Sequence, residues 1–472
     1  MAGKSTRDMT QGPVFGHILR MLMPMSFAIL AMMLVGQIDT YWVGSLGVEQ
    51  QAAVQMSFPV SMLVMSVAIG LGAGAVSAVS RAAGEKDHST VRRLATDALS
   101  LAFILVGSAS ILGMIFVEPM FRAIGATEAM MPYVVDYMSV WFGGIVLIVG
   151  PMVASNILRA LGNAIIPSMM MMGAALVNLV LDPIFILDDV FGWFPGLGMG
   201  VKGAALATVA ANAVTFGMVS WYLVFKEKLI DFSWPGIGEV LHHWFDIARV
   251  GIPAAFSNTF NPFALTVAMG GLGMAQFGEA AVAGVGVGGR MEAFVIAPLF
   301  ALSASIGAVT GQNGGAGDAG RVKQAFLKSF AFSIGWGLFA ACVLYFFAGP
   351  LAALFVPDDL EAQRIAQAYW HIVPLTVAGY GITMAGSAGF NGLGRPAYGV
   401  MITFGRAIIL MIPLVLVFGH YIGTPTGIIW AMAWANVISG ILTVLFVLTR
   451  APMTARARRK RKDKTETAEE PA

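Results

Sequence analysis

The feature that most constrains this chain is a series of long apolar runs separated by short polar breaks. A helix needs about 20 mostly apolar residues to cross a bilayer. The chain has twelve such runs, near residues 17–44, 52–80, 94–117, 129–150, 165–187, 202–225, 247–273, 283–310, 324–348, 366–389, 397–419 and 424–449. Only 11% of the 472 residues are charged, whereas about 25% are charged in soluble domains. The sequence predicts an all-α membrane protein with about 12 transmembrane helices.

The positions of Lys and Arg predict the orientation of these helices. Cytoplasmic loops of membrane proteins are enriched in Lys and Arg. With the N-terminus inside, most of the 28 Lys and Arg residues fall on the cytoplasmic side, and Asp and Glu dominate the outer loops. We therefore expect cytoplasmic termini and a multi-pass location in a bacterial inner (plasma) membrane. The basic tail is expected to touch anionic lipid, not nucleic acid.

The two halves of the chain repeat. The segment SRAAGEKDHSTVRR (80–93) aligns without gaps to GQNGGAGDAGRVKQ (311–324). Six helices per half make these parallel repeats, which in transporters enclose a substrate site and alternate its access. We expect two pseudo-symmetric lobes at 1–225 and 247–450, a cytoplasmic linker at 226–246 and a disordered basic tail at 451–472. His242 and His243 are expected to be solvated linker residues.

Two carboxylates interrupt the apolar runs of the first half. Asp39 lies in the first run and Asp182 in the fifth, each near the outer end. Acids inside a membrane are costly and mark functional sites by default. Asn178 precedes Asp182 by one helical turn and so shares its helix face. Thr208 in the sixth run reaches the same depth.

These groups predict a cation site. Pro183 cannot donate to the carbonyl of Leu179, which adds a free oxygen to two carboxylates, an amide and a hydroxyl. Such a set suits a hard cation such as Na⁺. It equally suits H⁺, because two carboxylates in a low-dielectric site cannot both ionise cheaply. The structural alternative is a static Asp pair that only fixes helix packing.

Other polar residues in the apolar runs are candidates for a substrate cavity. The second half has no matching acid pair, so we expect ion coupling in the first half. Arg290 and Glu292 are close in sequence and are expected to neutralise each other, and Arg406 is a further cation in the second half. The candidates are Gln37, Asp136, Tyr137, Asn156, Asn258, Asn261, Arg290 and Glu292.

Enzyme signatures are absent from the sequence: it has no phosphate loop, HExxH or GxSxG motif. Without a nucleotide-binding motif, transport must be driven by an ion gradient or be passive. We therefore expect no enzymatic activity and no cofactor apart from the coupling ion. A single cysteine, Cys342, excludes an intramolecular disulfide.

Several stretches, taken in order, resemble the multidrug and toxic compound extrusion (MATE) family, and its DinF-like branch in particular. They include PMSFAILAMMLVGQIDTYWVGSLG, RAAGEKD, ILRALGNAIIP, NLVLDP, GRMEAF and GQNGGAG. The resemblance spans nearly the whole chain. It implies a cation site in the N-terminal lobe at the positions of Asp39, Asn178, Asp182 and Thr208. The other main branch uses acids in the second half, where this chain has Asn261 and Tyr380.

The resemblance also implies a function: efflux of amphipathic, often cationic, drug-like molecules in exchange for H⁺ or Na⁺. A flippase for lipid-linked sugars is an alternative, although only Arg290 and Arg406 offer charges for phosphate groups. A channel and a membrane-embedded enzyme are further alternatives, and no catalytic groups converge for the latter. We expect a monomer.

Overall fold

The structure is a computed structural model. It describes residues 7–190, 192, 194–231, 233, 236–271 and 273–469, with side chains up to Ala451. The predicted lipid contacts of the basic tail fall on side chains outside this range.

The described residues are almost entirely helical. The first half contains α1 (Val14–Leu46), α2 (Val48–Gly84), α3 (His88–Ala123), α4 (Met131–Ala160), α5 (Ile165–Ile186) and α6 (Gly200–Trp221). A π-helical turn, Tyr222–Lys226, continues α6, and a small antiparallel hairpin of β1 (Asp189–Val190) and β2 (Phe194–Pro195) precedes it.

The second half has the same succession of long helices. It contains α7 (Ile237–Met269), α8 (Glu279–Gly315), α9 (Ala319–Phe355), α10 (Leu360–Ile372), α11 (Val377–Gly392), α12 (Pro396–Phe404), α13 (Ile412–Ile422) and α14 (Pro425–Glu469). Short 3₁₀ segments lie at Met274–Phe277 and Pro374–Thr376, and a π-helical segment, Gly405–Met411, joins α12 to α13.

These helices confirm the predicted all-α membrane fold. Within the described residues, eleven helical segments are long and apolar enough to cross a membrane, with α10–α11 and α12–α13 each counted as one segment. The twelfth long helix, α7, has 33 residues but is more polar, because Asn258 and Asn261 interrupt its apolar stretch. Most helices extend beyond the predicted apolar runs, because their end turns are polar. Two of these ends are capped by a side chain: Asp318 caps α9 and Asp359 caps α10.

The linker and the tail differ from the prediction. α7 begins at Ile237 and includes His242 and His243. The His243 ring is partly buried, with Nδ1 2.6 Å from Asp97 Oδ2, so this residue is not a solvated loop residue. The last helix continues to Glu469 through the predicted disordered tail. After Pro452 this segment has no Pro or Gly up to Glu469 and is rich in Ala, Arg, Lys and Glu, residue types that favour helix.

The chain forms two compact units. Among the described residues, the first unit contains Arg7, 24–75 and 88–252, and the second contains 8–23, 76–87 and 253–469. Helices α1 and α2 are therefore each divided between the units, at Pro24 and after Ala75. The lobe limits derived from the sequence stay a prediction.

Within the second unit, the repeated loops meet in a reciprocal contact. A Cβ on Gly84 would lie 1.9 Å from the carbonyl oxygen of Gln312, and a Cβ on Gly315 would lie 2.2 Å from that of Arg81. In the aligned repeat, Gly84 corresponds to Gly315 and Arg81 to Gln312, so the two contacts are the same contact made twice. Glycine lets the ends of α2 and α8 approach backbone to backbone.

The segment before α1 is bound in the same unit. Met9 donates its backbone N–H to Gln312 Oε1 (3.0 Å). Arg321 donates to the carbonyl oxygens of Met9 (2.9 Å) and Gly12 (2.8 Å). Residues 9–12 are thus bound to the end of α8 and the start of α9.

We expect Gly84→Ala and Gly315→Ala to lower the thermal unfolding midpoint of the purified protein. The added methyl overlaps a backbone carbonyl, and overpacking costs about 1–3 kcal/mol. Gly335→Ala in α9 is the matched control, because nothing lies within 4 Å of a Cβ at that position. Midpoints that are equal for all three variants would contradict the close approach of α2 and α8.

Candidate cation site

The outer ends of four helices of the first unit share a small apolar core. Its buried residues come from α1, α5 and α6, and Tyr133 and Tyr137 of α4 pack against it. The buried members are Val43, Ile186, Val201 and Ala204. This core fixes the relative depth of the helices that carry the predicted site.

Three predicted site residues each lie one helical turn from a member of that core. Asp39 precedes Val43 by four residues, Asp182 precedes Ile186 by four, and Thr208 follows Ala204 by four. Residues four apart share a helix face, so these side chains occupy a common level next to the core. The chain therefore places the predicted oxygens of α1, α5 and α6 at one height.

A side-chain hydrogen bond between two residues of α5 lies at this level. Asn178 Nδ2 donates to Asp182 Oδ1 at 2.8 Å, and Asp182 is fully buried, with 0% of its surface exposed. Asp39 is close enough to Asp182 for the two charges to interact. Tyr137 is close enough to both carboxylates for their charges to act on it. Asp39, Tyr137, Asn178 and Asp182 thus form one cluster.

Two oxygens of this cluster are buried without a protein donor. In the part of the chain that the structure describes, Asp39 Oδ1 and Asp182 Oδ2 have no hydrogen-bond partner. Buried polar atoms are nearly always hydrogen-bonded, and a buried carboxylate is costly when unpaired. Such oxygens are suited to take up a proton or a hard cation.

Thr208 lies at the level of the cluster but is not bonded to it. Its carbonyl accepts a hydrogen bond from Asn212 Nδ2 at 2.9 Å, and no hydrogen bond joins its hydroxyl to either carboxylate among the described residues. No group of three or more His, Cys, Asp or Glu converges among these residues. A sodium ion would therefore need neutral oxygens, such as those of Asn178 and Thr208, to complete its shell.

The position of Asp182 is set by the loop that follows α5. The helix stays regular through Pro183 and ends at Ile186. Its last carbonyls are then capped by the loop: Leu197 N–H donates to Ile184 O (2.8 Å) and Met199 N–H to Phe185 O (2.9 Å). The capped carbonyls hold the end of α5 against α6 and keep Asp182 inside.

The predicted cavity residues differ in their exposure. Gln37, Asp136, Asn258 and Arg290 are exposed in the isolated chain. Asn156 accepts a hydrogen bond from Arg159 Nη2 at 2.8 Å.

The predicted neutralisation of Glu292 by Arg290 is wrong. The structure shows no ion pair between them among the described residues, and the Tyr369 hydroxyl donates to Glu292 instead. Arg290 is two residues away on α8, and residues two apart point to different sides of a helix.

A second polar cluster in the second unit was only partly predicted. It joins Arg406 and Asn261, both singled out in the sequence, to Asn436 and Tyr380. Asn436 of α14 was not among the predicted residues, although a lone amide inside an apolar run stands out in the sequence.

A multi-pass helical membrane protein with a buried, incompletely hydrogen-bonded acid pair belongs to the class of membrane transporters by its fold and site. Known proteins support this class. A family model described as MatE matches two separate segments, residues 24–184 and 253–417. The chain therefore belongs to the MATE family of transporters, as its motifs predict; its place in the DinF-like branch stays a prediction.

Individual relatives are similar over nearly their whole length. The FAD transporter of Shewanella oneidensis is 34% identical over 438 residues, which cover 93% of this chain and 95% of that protein. The multidrug export protein MepA of Staphylococcus aureus is 24% identical over 451 residues, covering 93% and 94%.

Solved structures are similar in fold. An outward-facing multidrug resistance MATE transporter matches with a TM-score of 0.87 and 26% identity, covering 98% of this chain and 100% of that one. The bent form of VcmN from Vibrio cholerae, a MATE transporter, matches with a TM-score of 0.85 and 26% identity, covering 94% and 98%.

We expect Asn178→Ala to slow ion-coupled transport about tenfold or more, because a hydrogen bond to a charged group contributes about 1.5–3 kcal/mol. The measurement is ion flux into proteoliposomes driven by an exported compound. Thr40→Ala is the matched control, because the Thr40 hydroxyl donates to Gly36 of its own helix (2.9 Å) on an exposed face. Equal rates for both variants would show that Asn178 plays no part in coupling.

Proposed function

We propose that the protein is a secondary active multidrug efflux antiporter of the bacterial inner membrane. It exports amphipathic, cationic, drug-like compounds in exchange for H⁺ or Na⁺ and works as a monomer without a cofactor. The coupling site is the cluster of Asp39, Asn178 and Asp182, with Thr208 at the same level. The observation that carries the proposal is the pair of buried, unbonded carboxylate oxygens.

The chemistry of exchange follows from this pair. Two nearby carboxylates repel each other when both are ionised, and the repulsion is strong in a low-dielectric site. Uptake of H⁺ or Na⁺ relieves it, so the bound and unbound states favour different arrangements of α1 and α5. An ion gradient then biases the conformational equilibrium by the difference in ion affinity between the two states.

The relatives support export of this kind, since the MepA proteins of Staphylococcus aureus and Staphylococcus haemolyticus are named multidrug export proteins. A second candidate substrate comes from the Shewanella relative, which is named an FAD transporter. FAD carries a negatively charged pyrophosphate, which would need a cationic group inside the membrane-spanning part of the protein. The half-buried Arg406 offers one.

We expect Asp39→Asn and Asp182→Asn each to abolish drug-driven ion movement in proteoliposomes. Each change removes a carboxylate that must change its ionic state, while its size is kept. Glu49→Gln at the exposed start of α2 is the control for loss of a negative charge. Glu292→Gln should cause a much smaller loss. If Glu292→Gln caused a loss equal to that of Asp39→Asn, the assignment of ion coupling to the first half would be wrong.

The coupling ion can be identified in the same vesicles. If H⁺ is the coupling ion, collapse of the proton gradient stops ethidium export and removal of sodium does not. If Na⁺ is the coupling ion, the results are reversed. Export that survives both treatments would contradict ion exchange as the mechanism.

A further inference from the structure

Arg406 is a half-buried cation whose hydrogen-bond partners are all neutral. Its Nη1 donates to Asn261 Oδ1 (2.7 Å), and its Nη2 (2.8 Å) and Nε (3.0 Å) donate to Asn436 Oδ1. No carboxylate forms an ion pair with it among the described residues. A guanidinium has five N–H donors, so two remain after these three hydrogen bonds.

The neighbours of Arg406 fix the direction of the guanidinium. Its central carbon lies 4.0 Å from the centre of the Tyr380 ring, a cation–π contact. Asn436 Nδ2 donates in turn to Thr376 Oγ1 at 3.3 Å. The side chain is therefore held by α7, α11 and α14 together and presents its free donors in a defined orientation.

The helices that meet at Arg406 are irregular at this point. Arg406 lies in the π-helical segment Gly405–Met411, Asn261 directly precedes Pro262 within α7, and Thr376 ends the 3₁₀ segment Pro374–Thr376. π-Helical segments occur frequently at functional sites. In transporters, interrupted helices carry the substrate site, because irregular backbone inside a membrane is tolerated where it lines a cavity.

Glu292 supplies a counter-charge without occupying the donors of Arg406. It lies close enough for the two charges to interact, but its carboxylate accepts its hydrogen bond from Tyr369. Glu292 thus offsets part of the cost of burying Arg406. It would also repel an incoming anion, which makes its removal informative.

We propose that Arg406, oriented by Asn261, Asn436 and Tyr380, binds an oxyanion group of the transported compound, either a phosphate or a carboxylate. Guanidinium groups bind both, often through two parallel hydrogen bonds. The proposal rests on the proposed function in that the anion belongs to a transported molecule. The competing role for Arg406 is purely structural, a tie from its π-helical segment to α7, α11 and α14.

The test compares ligands that differ in the anionic group. Equilibrium binding to the purified full-length protein in detergent is measured for FAD, for riboflavin with the same ring and no phosphate, for norfloxacin with a carboxylate, and for cationic ethidium. We expect Arg406→Gln to weaken FAD binding about 10- to 100-fold, from the strength of charge-assisted hydrogen bonds. Riboflavin and ethidium binding should stay unchanged, and the norfloxacin result distinguishes carboxylate from phosphate.

Two further variants separate recognition from folding. Arg406→Lys should retain part of the FAD affinity, since the charge remains, and Glu292→Gln should raise it, since a repelling charge is lost. Arg364→Gln on the exposed face of α10 is the control. The thermal midpoint of each variant reports whether the fold is intact.

Three results would overturn the proposal. One is equal loss of all four ligands in Arg406→Gln with a lowered midpoint, which indicates a structural tie. Another is that Arg406→Gln binds FAD and norfloxacin as tightly as the unmodified protein does, or that the unmodified protein binds neither. The third is Arg406-dependent movement of a fluorescent phospholipid without Arg406-dependent FAD binding, which assigns the site to a lipid headgroup. Absence of ion-coupled transport in the wild-type protein, with Arg406-dependent binding intact, would instead contradict the proposed function.

Discussion

The cost of placing charge in a low-dielectric interior governs this molecule. Asp39 and Asp182 lie inside a helical unit where one oxygen of each has no donor among the residues that the structure describes. Folding would favour apolar residues at both positions, since an unpaired buried charge is strongly destabilising. The outer core around Val43 and Ile186 and the capped end of α5 hold the two acids in place against this cost. An ion-coupled site requires such an arrangement, because its charges are unfavourable until an ion binds.

The second unit handles a buried charge in the opposite way. Arg406 is surrounded by neutral oxygens and an aromatic face, so its charge is solvated by the protein while some of its donors stay free. The irregular segments at this level supply the geometry that regular helices cannot, since they turn side chains away from the usual helical spacing. Among the described residues, the first unit thus has an acid pair with too few donors, and in the second unit Arg406 forms no ion pair with an acid.

The sequence predicts the helices and the acid pair because both depend on local patterns. Apolar length and the distribution of Lys and Arg predict the number of helices, and a lone acid in an apolar run stands out. The π-helical segment at Arg406 and the hydrogen bond from Tyr369 to Glu292 were not predicted, because they depend on which helices become neighbours. The extension of α14 through the tail was missed for a different reason, since charged helix formers were interpreted as disorder. Asn436 was recognisable by the same criterion as Asp39 and was overlooked.

Under the proposed exchange, the charge of the transported compound determines how much of the ion gradient its export requires. The bacterial interior is electrically negative, and each elementary charge moved across the membrane corresponds to about 2.3 kcal/mol per 100 mV. Export of a cation proceeds against this potential and needs the coupling ion that Asp39 and Asp182 would bind. Export of an anion such as FAD is assisted by the same potential, so each phosphate charge held at Arg406 reduces the demand on the ion gradient. An oxyanion subsite in one unit and a cation site in the other are therefore energetically compatible within a single exporter.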